Sequence, residues 1–574
     1  MRIALVYPPP WKIPAPGQVP DPGGDGPPEG FRDGDIDADF LQTPYGLLSL
    51  AAQAIRWGHQ VKVLNLSSFP WDEVERTIAR LDADLFGMSS FTANRRGVGL
   101  VAKCIRAHHP SARIVVGGPH ATALARETLS HHPEIDAVAI GEGEETLREV
   151  VERIGQGASL QGIAGLAWRS ADQVEVGAPR ARIAELDTLA SPHGPFSPHL
   201  LMTSRGCPGS CSYCAKNAVW GKQWRAHSPA WVLSSLQHAA AHLPVKMLMI
   251  KDDTFTADRK RALEICRTMR ERKLGLLWSC DTRADVLTEE LVREMRLAGC
   301  QRISLGVESG SPSILKNIGK NITPDKVQAA TKMARDVGLQ VRWFMMLGNR
   351  GETAHTLRES LDFIRKGQPD QFIFACLSVY PGTRDFESLA KQGALDREVY
   401  FDGDFLELKM PFDASEQDTA VMSDWFERNK GLRELHRPGV EHYEAVLQRL
   451  GDFHAAHFDL ASACYHDGQS ERAEEHARRA LDLGFPAPGL IWNLLGCIAA
   501  SRSAWAEMRA CFDQAHEQDP LHAVLARNRQ AIKAWESSGG PLRLVASSEF
   551  QILERTQQPT LPGPLAADFD QWDS

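Results

Sequence analysis

The sequence predicts an α/β protein in three successive parts: an open parallel sheet with helices on both faces, a partial (β/α)6 barrel, and a helical C-terminal region. Three observations carry this. Residues 1–150 and 200–400 each alternate short β-branched runs with helix-length stretches, the pattern of parallel sheets joined by crossover helices. The conspicuous polar residues of the second stretch stand at the C-terminal ends of its predicted strands, the functional face of a barrel. Beyond residue 440 the strand signals cease and a helical repeat begins.

In the first part, residues 1–155, "RIALVY", "HQVKVLNL", "ADLFGMSS", "ARIVVGGPH" and "IDAVAIGEGE" read as strands, with "PYGLLSLAAQAIRWG" and "RRGVGLVAKCIRAHHP" as helices between them. The insert after the first strand, residues 8–40, carries nine prolines and is expected to loop over the carboxyl edge of the sheet, where such folds bind ligands. Residues 156–197 read as a linker holding a short hairpin, "GIAGLAWRS…QVEVG". The barrel is expected over 198–400, from "HLLMTSRG", "KMLMIKDDTF", "LLWSCDTRAD", "RISLGVESG", "QVRWFMMLG" and "QFIFACLSVYPGT". A connecting segment, 401–440, leads to the helical region, 441–540. There "HFDLASACYHDGQSERAEEHARRALDLGFP" aligns with "WNLLGCIAASRSAWAEMRACFDQAHEQDP" at a 35-residue offset. Ala461 matches Gly496 and Ala480 matches Ala515, as in a tetratricopeptide-like repeat. Either a cap on the barrel or a partner-docking surface fits such a pair. Residues 541–574 read as a tail.

Hydrophobic content of 43% and charged content of 24% are ordinary for a globular protein. A net charge of −9 offers no electrostatic basis for binding nucleic acid. No apolar run approaches the length of a membrane span, and "MRIALVYPPPW" reads as an opening strand and not a signal peptide. Eleven cysteines, an odd number, do not form a secreted disulfide framework. A cytoplasmic protein with reduced thiols is expected.

The densest chemistry lies in "TSRGCPGSCSYCAKN", where Cys207, Cys211 and Cys214 follow a predicted strand in a loop made tight by Gly206, Pro208 and Gly209. Thiolates are soft ligands that suit zinc or iron–sulfur clusters. A closed zinc site would require a fourth Cys or His close by, yet the next candidates are His227 and Cys266. Three ligands would leave one iron of a cluster open. Cys266, Cys280, Cys300 and Cys376 are widely spaced and read as buried core thiols.

This segment, with Tyr213 just before the third cysteine, resembles the radical S-adenosylmethionine (SAM) superfamily. The resemblance implies a 4Fe-4S cluster whose free iron chelates SAM and whose electron releases a 5′-deoxyadenosyl radical. It also implies SAM contacts from Tyr213, from Asp252 and Asp253 in "KDDTF", from Arg283 in "DTRAD", and from Glu308 and Ser309 in "SLGVESGS". For the aspartates, a solvated loop or a helix N-cap is the alternative reading. "GNRGET" followed by "YPGT" is similar to the common "GLPGET…PGT" passage, with Asn349 and Arg350 replacing Leu and Pro.

In front of the barrel, "PYGLLSLAAQAIRWGHQVKVLN", "GMSS", "VVGGPHAT" and "DAVAIGEGE" resemble the Rossmann-like cobalamin-binding domain of one radical SAM subfamily. Glycines at strand ends admit a bulky ligand. The resemblance therefore implies cobalamin contacts from Ser89, Ser90, Thr92, Gly117, Gly118, His120, Gly141 and Glu142. The D-x-H-x-x-G loop that supplies a lower axial histidine elsewhere is replaced by "YPPPWKIP", so a lower face without histidine, covered by Trp11 or the insert, is expected.

Together these resemblances imply a C-methyltransferase that acts on an unactivated carbon through methylcobalamin and the deoxyadenosyl radical. The alternatives are a cobalamin-dependent cyclase or rearrangement enzyme, and a non-catalytic scaffold or sensor. A methylthiotransferase is disfavoured, because the front domain holds a single cysteine, Cys104. The partners implied are a small-molecule or peptide substrate, an external electron donor such as a flavodoxin or ferredoxin, and a protein at the helical repeats. The substrate is expected between the two α/β parts, lined by the insert, late barrel strand ends and the helical region.

Overall fold

The computed structural model describes residues 1–9, 44–67, 69, 71–170, 173–221, 223–402, 415–429, 438–520, 522–539 and 542–546. Trp11, nearly all of the proline-rich insert, much of the connecting segment and most of the tail lie outside the described residues.

The first sheet has seven strands, β1 (Arg2–Tyr7), β2 (Gln60–Asn65), β3 (Leu85–Ser89), β4 (Arg113–Gly117), β5 (Ala137–Ala139), β6 (Leu166–Ser170) and β7 (Gln173–Val176), in the order β2-β1-β3-β4-β5-β6-β7. Strands β1 to β5 pair in parallel. Alternation along β1 explains the two layers: Ala4 and Val6 enter one apolar cluster with Phe86 and Ile114, while Ile3 and Leu5 enter another with Leu85 and Val115. Helices α1 (Tyr45–Arg56), α2 (Trp71–Ala79), α3 (Arg95–His108), α4 (Pro119–Ala123), α5 (Ala125–His131) and α6 (Glu144–Gly155) connect the strands.

The hairpin expected within a linker is part of this sheet. Its strand β6 pairs antiparallel with β5, Ala137 opposite Trp168, and β7 pairs with β6. The three-residue β5 would otherwise expose an unpaired edge, and the hairpin covers it.

The second sheet is parallel, in the sequential order β15-β14-β13-β12-β11-β8, which is the partial barrel expected. Its strands are β8 (Leu200–Leu201), β11 (Met247–Ile250), β12 (Leu277–Thr282), β13 (Cys300–Glu308), β14 (Gln340–Leu347) and β15 (Gln371–Cys376). A two-stranded ribbon, β9 (Ser204–Arg205) with β10 (Arg225–Ala226), brackets the cysteine loop. The surrounding helices start where hydroxyl or carboxylate caps satisfy free N–H groups: Ser228 accepts from Trp231, Asp258 from Arg261, Thr288 from Leu291, Thr353 from Thr356 and Thr383 from Phe386. Between the strands and the surrounding helices, side chains such as Trp278, Leu305 and Trp343 pack into one apolar layer.

At the C-terminus, α7 (Val440–Leu450), α8 (His454–His466), α9 (Ser470–Asp482), α10 (Pro488–Ser501), α11 (Trp505–Gln518) and α12 (Ala523–Ser538) follow one another. The α8–α9 and α10–α11 pairs recur at the offset read from the sequence. At Gly496, aligned with Ala461 of the first pair, an added Cβ would stand 2.8 Å from the Phe512 ring, so this crossing is closer than an alanine admits. Val245, Met247 and Leu277 join Ala455, Phe458 and Leu460 in one apolar cluster. Met247 and Leu277 open β11 and β12, so the helices seal the N-terminal end of the barrel, where Arg296 pairs with Asp459. The expectation that this region lines a substrate site is therefore overturned: it sits at the opposite end of the strands. No helix among the described residues is long and apolar enough to cross a membrane.

Candidate functional site

The C-terminal strand ends of both sheets open on one cavity of about 660 Å³. Ser89, Gly117, Gly118 and Gly141 line it from the first sheet, and Tyr213, Cys214, Lys216 and Asp253 from the barrel. Gly118 is required on two grounds. Its φ is +97°, and an added Cβ would lie 2.6 Å from the Ser90 carbonyl oxygen. Gly141 has φ +82° and donates its N–H to Thr122 Oγ1 at 3.1 Å. At these glycines bare backbone faces the cavity, among apolar side chains such as Met88 and Val115, which suits a broad flat ligand.

Three predicted cobalamin contacts stand behind this glycine wall, off the cavity. The Ser90 N–H donates to the Gly117 carbonyl at 2.7 Å. Thr92 Oγ1 meets His120 Nδ1 at 3.2 Å. His120 is 3% exposed, and the Tyr400 ring stands edge-on to it at 5.7 Å. Burial, with Arg95 nearby, pushes the His120 pKa down to about 3, so the ring is neutral. These residues shape the loops that carry the glycines.

Glu142 lines the cavity, but its carboxylate is committed. It accepts from Arg205 Nη1 at 2.8 Å, from Arg225 Nη1 at 3.0 Å and from the Ile183 N–H at 2.9 Å. Burial works to raise its pKa, and the two arginines outweigh that and hold it below the ordinary carboxylate range. Arg205 also reaches Glu144, Nη2 to Oε1 at 2.5 Å, and its guanidinium lies over the Trp220 ring at 5.1 Å. The side chains of Arg205, Glu142 and Glu144 are only 10%, 4% and 5% exposed. Arg205 stands two residues before Cys207, so this buried network ties the cysteine loop to the end of β5.

Within the loop, Gly206 has φ +85°, and a Cβ there would meet the Gln223 carbonyl oxygen at 2.6 Å. Cys207 Sγ accepts from the Gly209 N–H at 3.3 Å and from Thr254 Oγ1 at 3.4 Å. Lys216 Nζ donates to the Cys207 carbonyl. Burial pushes the unligated Cys214 thiol up to about 11. Arg283, paired with Asp285 at 2.7 Å, approaches Cys207 and Cys211 closely enough for both sulfurs to favour its charged form. Burial, and then the Glu308 carboxylate, raises the Tyr213 phenol. Glu308 in turn pairs with Lys320 at 2.8 Å.

Two predicted SAM contacts are internal struts. Asp252, 1% exposed, accepts from Thr203 N and Oγ1, both at 2.5 Å, and from Ser204 N and Oγ at 3.1 and 2.7 Å. All its acceptor directions are spent on the β8–β9 corner. Ser309, also 1% exposed, meets Ser360 Oγ at 3.1 Å and accepts from the Ser311 N–H at 3.1 Å. Asp253 and Tyr213 face the cavity, while Arg283 and Glu308 flank the loop. Asn349 and Arg350 do not line the cavity. Asn349 closes its own turn on Glu352 at 2.8 Å, and Arg350 pairs with Asp385 at 2.9 Å.

Sequence reading missed Arg205, Glu144, Lys216 and Tyr45. Arg205 and Lys216 lie in the quoted cysteine segment, and only their pairing was invisible. Tyr45 lines the cavity, with its hydroxyl buried beside the Met202 backbone.

A structural zinc ion gathers its donors within about 2.3 Å of one point. Among the described residues no three His, Cys, Asp or Glu side chains are grouped to hold a metal ion in that way. Three thiols on one loop, with N–H and O–H donors aimed at a sulfur and two cations beside them, suit a multi-iron cluster that takes each thiolate on a different iron.

Residues 201–364 match the model of the radical SAM superfamily, and residues 36–151 match that of the B12 binding domain. The chain is 32% identical over 357 residues to an uncharacterized methyltransferase of Pyrococcus horikoshii, covering 60% of this chain and 78% of that protein. It is 28% identical over 348 residues to the anaerobic magnesium-protoporphyrin IX monomethyl ester cyclase of Rubrivivax gelatinosus, covering 57% of this chain and 62% of that one. Among solved structures, the radical SAM methyltransferase TsrM of Kitasatospora setae, with cobalamin and a 4Fe-4S cluster bound, superposes with a TM-score of 0.55 at 19% identity over 68% of this chain and 75% of its own. The cobalamin-dependent radical SAM enzyme OxsB, with aqua-cobalamin and SAM bound, gives a TM-score of 0.59 at 16% identity over 94% and 81%. Both share the fold.

Proposed function

The chain belongs to the B12-binding radical SAM enzymes, whose cofactors are a 4Fe-4S cluster, SAM and cobalamin, and from that premise we propose that it is a C-methyltransferase acting on an unactivated carbon. The observation that carries this reading is the shared cavity: the glycine wall and the cysteine loop open on the same space. The relative of greatest identity named above is described as an uncharacterized methyltransferase.

Cys207, Cys211 and Cys214 would hold the cluster, and Gly117, Gly118 and Gly141 would receive the corrin. When bound, the cluster supplies the electron that cleaves SAM to a radical, and cobalamin supplies the methyl group. The protein's own part is positional and electrostatic. The Gly209 N–H and Thr254 hydroxyl stabilise negative charge on the Cys207 sulfur. Arg283 and Lys216 place positive charge beside the loop, offsetting that of three thiolates. Asp253 offers a carboxylate to the SAM ammonium. Arg205, through Glu142 and Glu144, fixes the distance between cluster loop and corrin wall. Mostly apolar walls exclude water from the radical. The electron comes from an external donor of the flavodoxin or ferredoxin class, and the substrate is a small molecule or peptide.

Anaerobic incubation with SAM, a reductant and hydroxocobalamin tests this. Formation of both 5′-deoxyadenosine and S-adenosylhomocysteine is expected. Deoxyadenosine alone would replace methylation with the cyclase or rearrangement reading, which the Rubrivivax relative favours. Neither product would overturn both.

A further inference from the structure

The C-terminal helices hold a short extended segment of the same chain. Residues 542–546 form neither helix nor strand. Leu542, Leu544 and Ala546, at alternate positions, pack against a cluster of Cys497, Ala499, Met508, Phe512 and Ile532, while Arg543 between them is exposed. That is one face of an extended strand lying on α10, α11 and α12.

The backbone contacts are more telling. The Val545 N–H donates to Asn528 Oδ1 at 2.8 Å, and its carbonyl accepts from Asn528 Nδ2 at 2.8 Å and from Asn493 Nδ2 at 2.9 Å. Asn528 Nδ2 also donates to Asn493 Oδ1 at 2.6 Å. Both asparagines are 0% exposed. An amide side chain that offers donor and acceptor together to one residue's N–H and C=O stands in for a neighbouring β-strand, and it reads backbone whatever the side chain. Emptied, the groove would leave these buried amides short of partners, which a dry site resists. The occupant, in contrast, is only half-buried at Leu542, Leu544, Val545 and Ala546.

We propose that this groove is a binding site for an extended peptide segment of a partner protein, with apolar side chains at alternate positions, and that residues 542–546 are an intramolecular stand-in which such a segment displaces. The tether from α12 is only a few residues long, so a partner strand must outcompete an effective concentration on the order of millimolar. Larger side chains at the alternate apolar positions supply that advantage against a short, one-sided contact.

The test uses the full-length chain and a fluorescein-labelled peptide, PLRLVASS, copied from residues 541–548. In the doubly substituted chain Leu542→Asp, Leu544→Asp the groove is vacated, and fluorescence anisotropy is expected to show binding at least tenfold tighter than to the unsubstituted chain. A peptide with proline in the Val545 position lacks the donated N–H and is expected to lose at least tenfold. In the unsubstituted chain, excess unlabelled peptide is expected to speed amide hydrogen exchange across 542–546, a readout that needs no variant to fold. Equal binding of the proline peptide, no gain on vacating the groove in a chain of unchanged circular dichroism, or unchanged exchange would each overturn the proposal. So would dimerisation through exchanged tails that blocks the peptide, because the occupant would then be a second copy.

Discussion

The two ends of the barrel share the same strands and finish in opposite ways. At the N-terminal end, Met247 and Leu277 enter the apolar core of the helical repeat, and Arg296, 1% exposed, is neutralised by Asp459. At the C-terminal end, the equivalent role falls to Arg205 with Glu142 and Glu144, which join two domains around a cavity. Both ends bury an arginine–carboxylate contact. One serves packing, and the other sets the spacing of a site. Substitutions at the two ends should therefore separate stability from chemistry.

The largest effect is expected at the mouth. Alanine at Cys207, Cys211 or Cys214 should abolish the brown cluster absorbance after anaerobic reconstitution. It should lower both SAM-derived products by about a hundredfold or more, because a cluster with two protein ligands is poorly held. Thermal unfolding should move little. A variant that keeps the chromophore would break the assignment of the loop. Next, Arg205→Ala should uncouple the cofactors: deoxyadenosine continues, while methylated product per deoxyadenosine falls about tenfold, an effect of misplacement known to reach that size. Arg205→Lys should restore part of that ratio. A parallel loss of both products would make Arg205 merely structural.

At the floor, Asp459→Leu should destabilise the chain by about 3–5 kcal/mol in denaturant unfolding, the cost of leaving a buried guanidinium unpaired. It should leave cluster and cobalamin loading unchanged. Altered loading would show that the two ends communicate. The smallest effect compares single histidines. Burial holds His120, behind the glycine wall, at a pKa of about 3 and His454, at the floor, at about 4. Both are neutral in the fold and take up protons near the ordinary value when unfolded. Stability is therefore full above about pH 6.5 and is lost as pH falls toward 4, by on the order of 3 kcal/mol for each group. His120→Asn or His454→Asn should each flatten that acid slope in urea unfolding measured between pH 7 and 4.5. A chain that gains stability on acidification would contradict both.

The parts legible in the sequence were those written locally. The alternating runs gave the strands of both sheets, because burial on both faces leaves a short continuous signature. The cysteine loop was legible because its three cysteines sit within eight residues. Gly118 and Gly141 were legible because strand-end glycines mark backbone that other residues avoid. What escaped depends on partners far away in the chain. Arg205 meets Glu142 and Glu144 across 63 and 61 residues, and nothing near either end announces it. The hairpin β6–β7 looked like a connector because the edge it covers is not written in it. Asp252 and Ser309 were recognised as strand-end polar residues, yet whether such a side chain faces a cavity or a neighbouring backbone is settled by packing. His120 followed the same rule.

The sealed floor has a consequence for traffic. The rear of the barrel is stoppered by the helical repeat, so among the described residues the cavity is a cul-de-sac. Under the proposed reaction, fresh SAM, substrate and spent adenosyl fragments share one doorway. Departure must precede arrival, and clogging by the leaving nucleosides becomes a built-in brake on turnover.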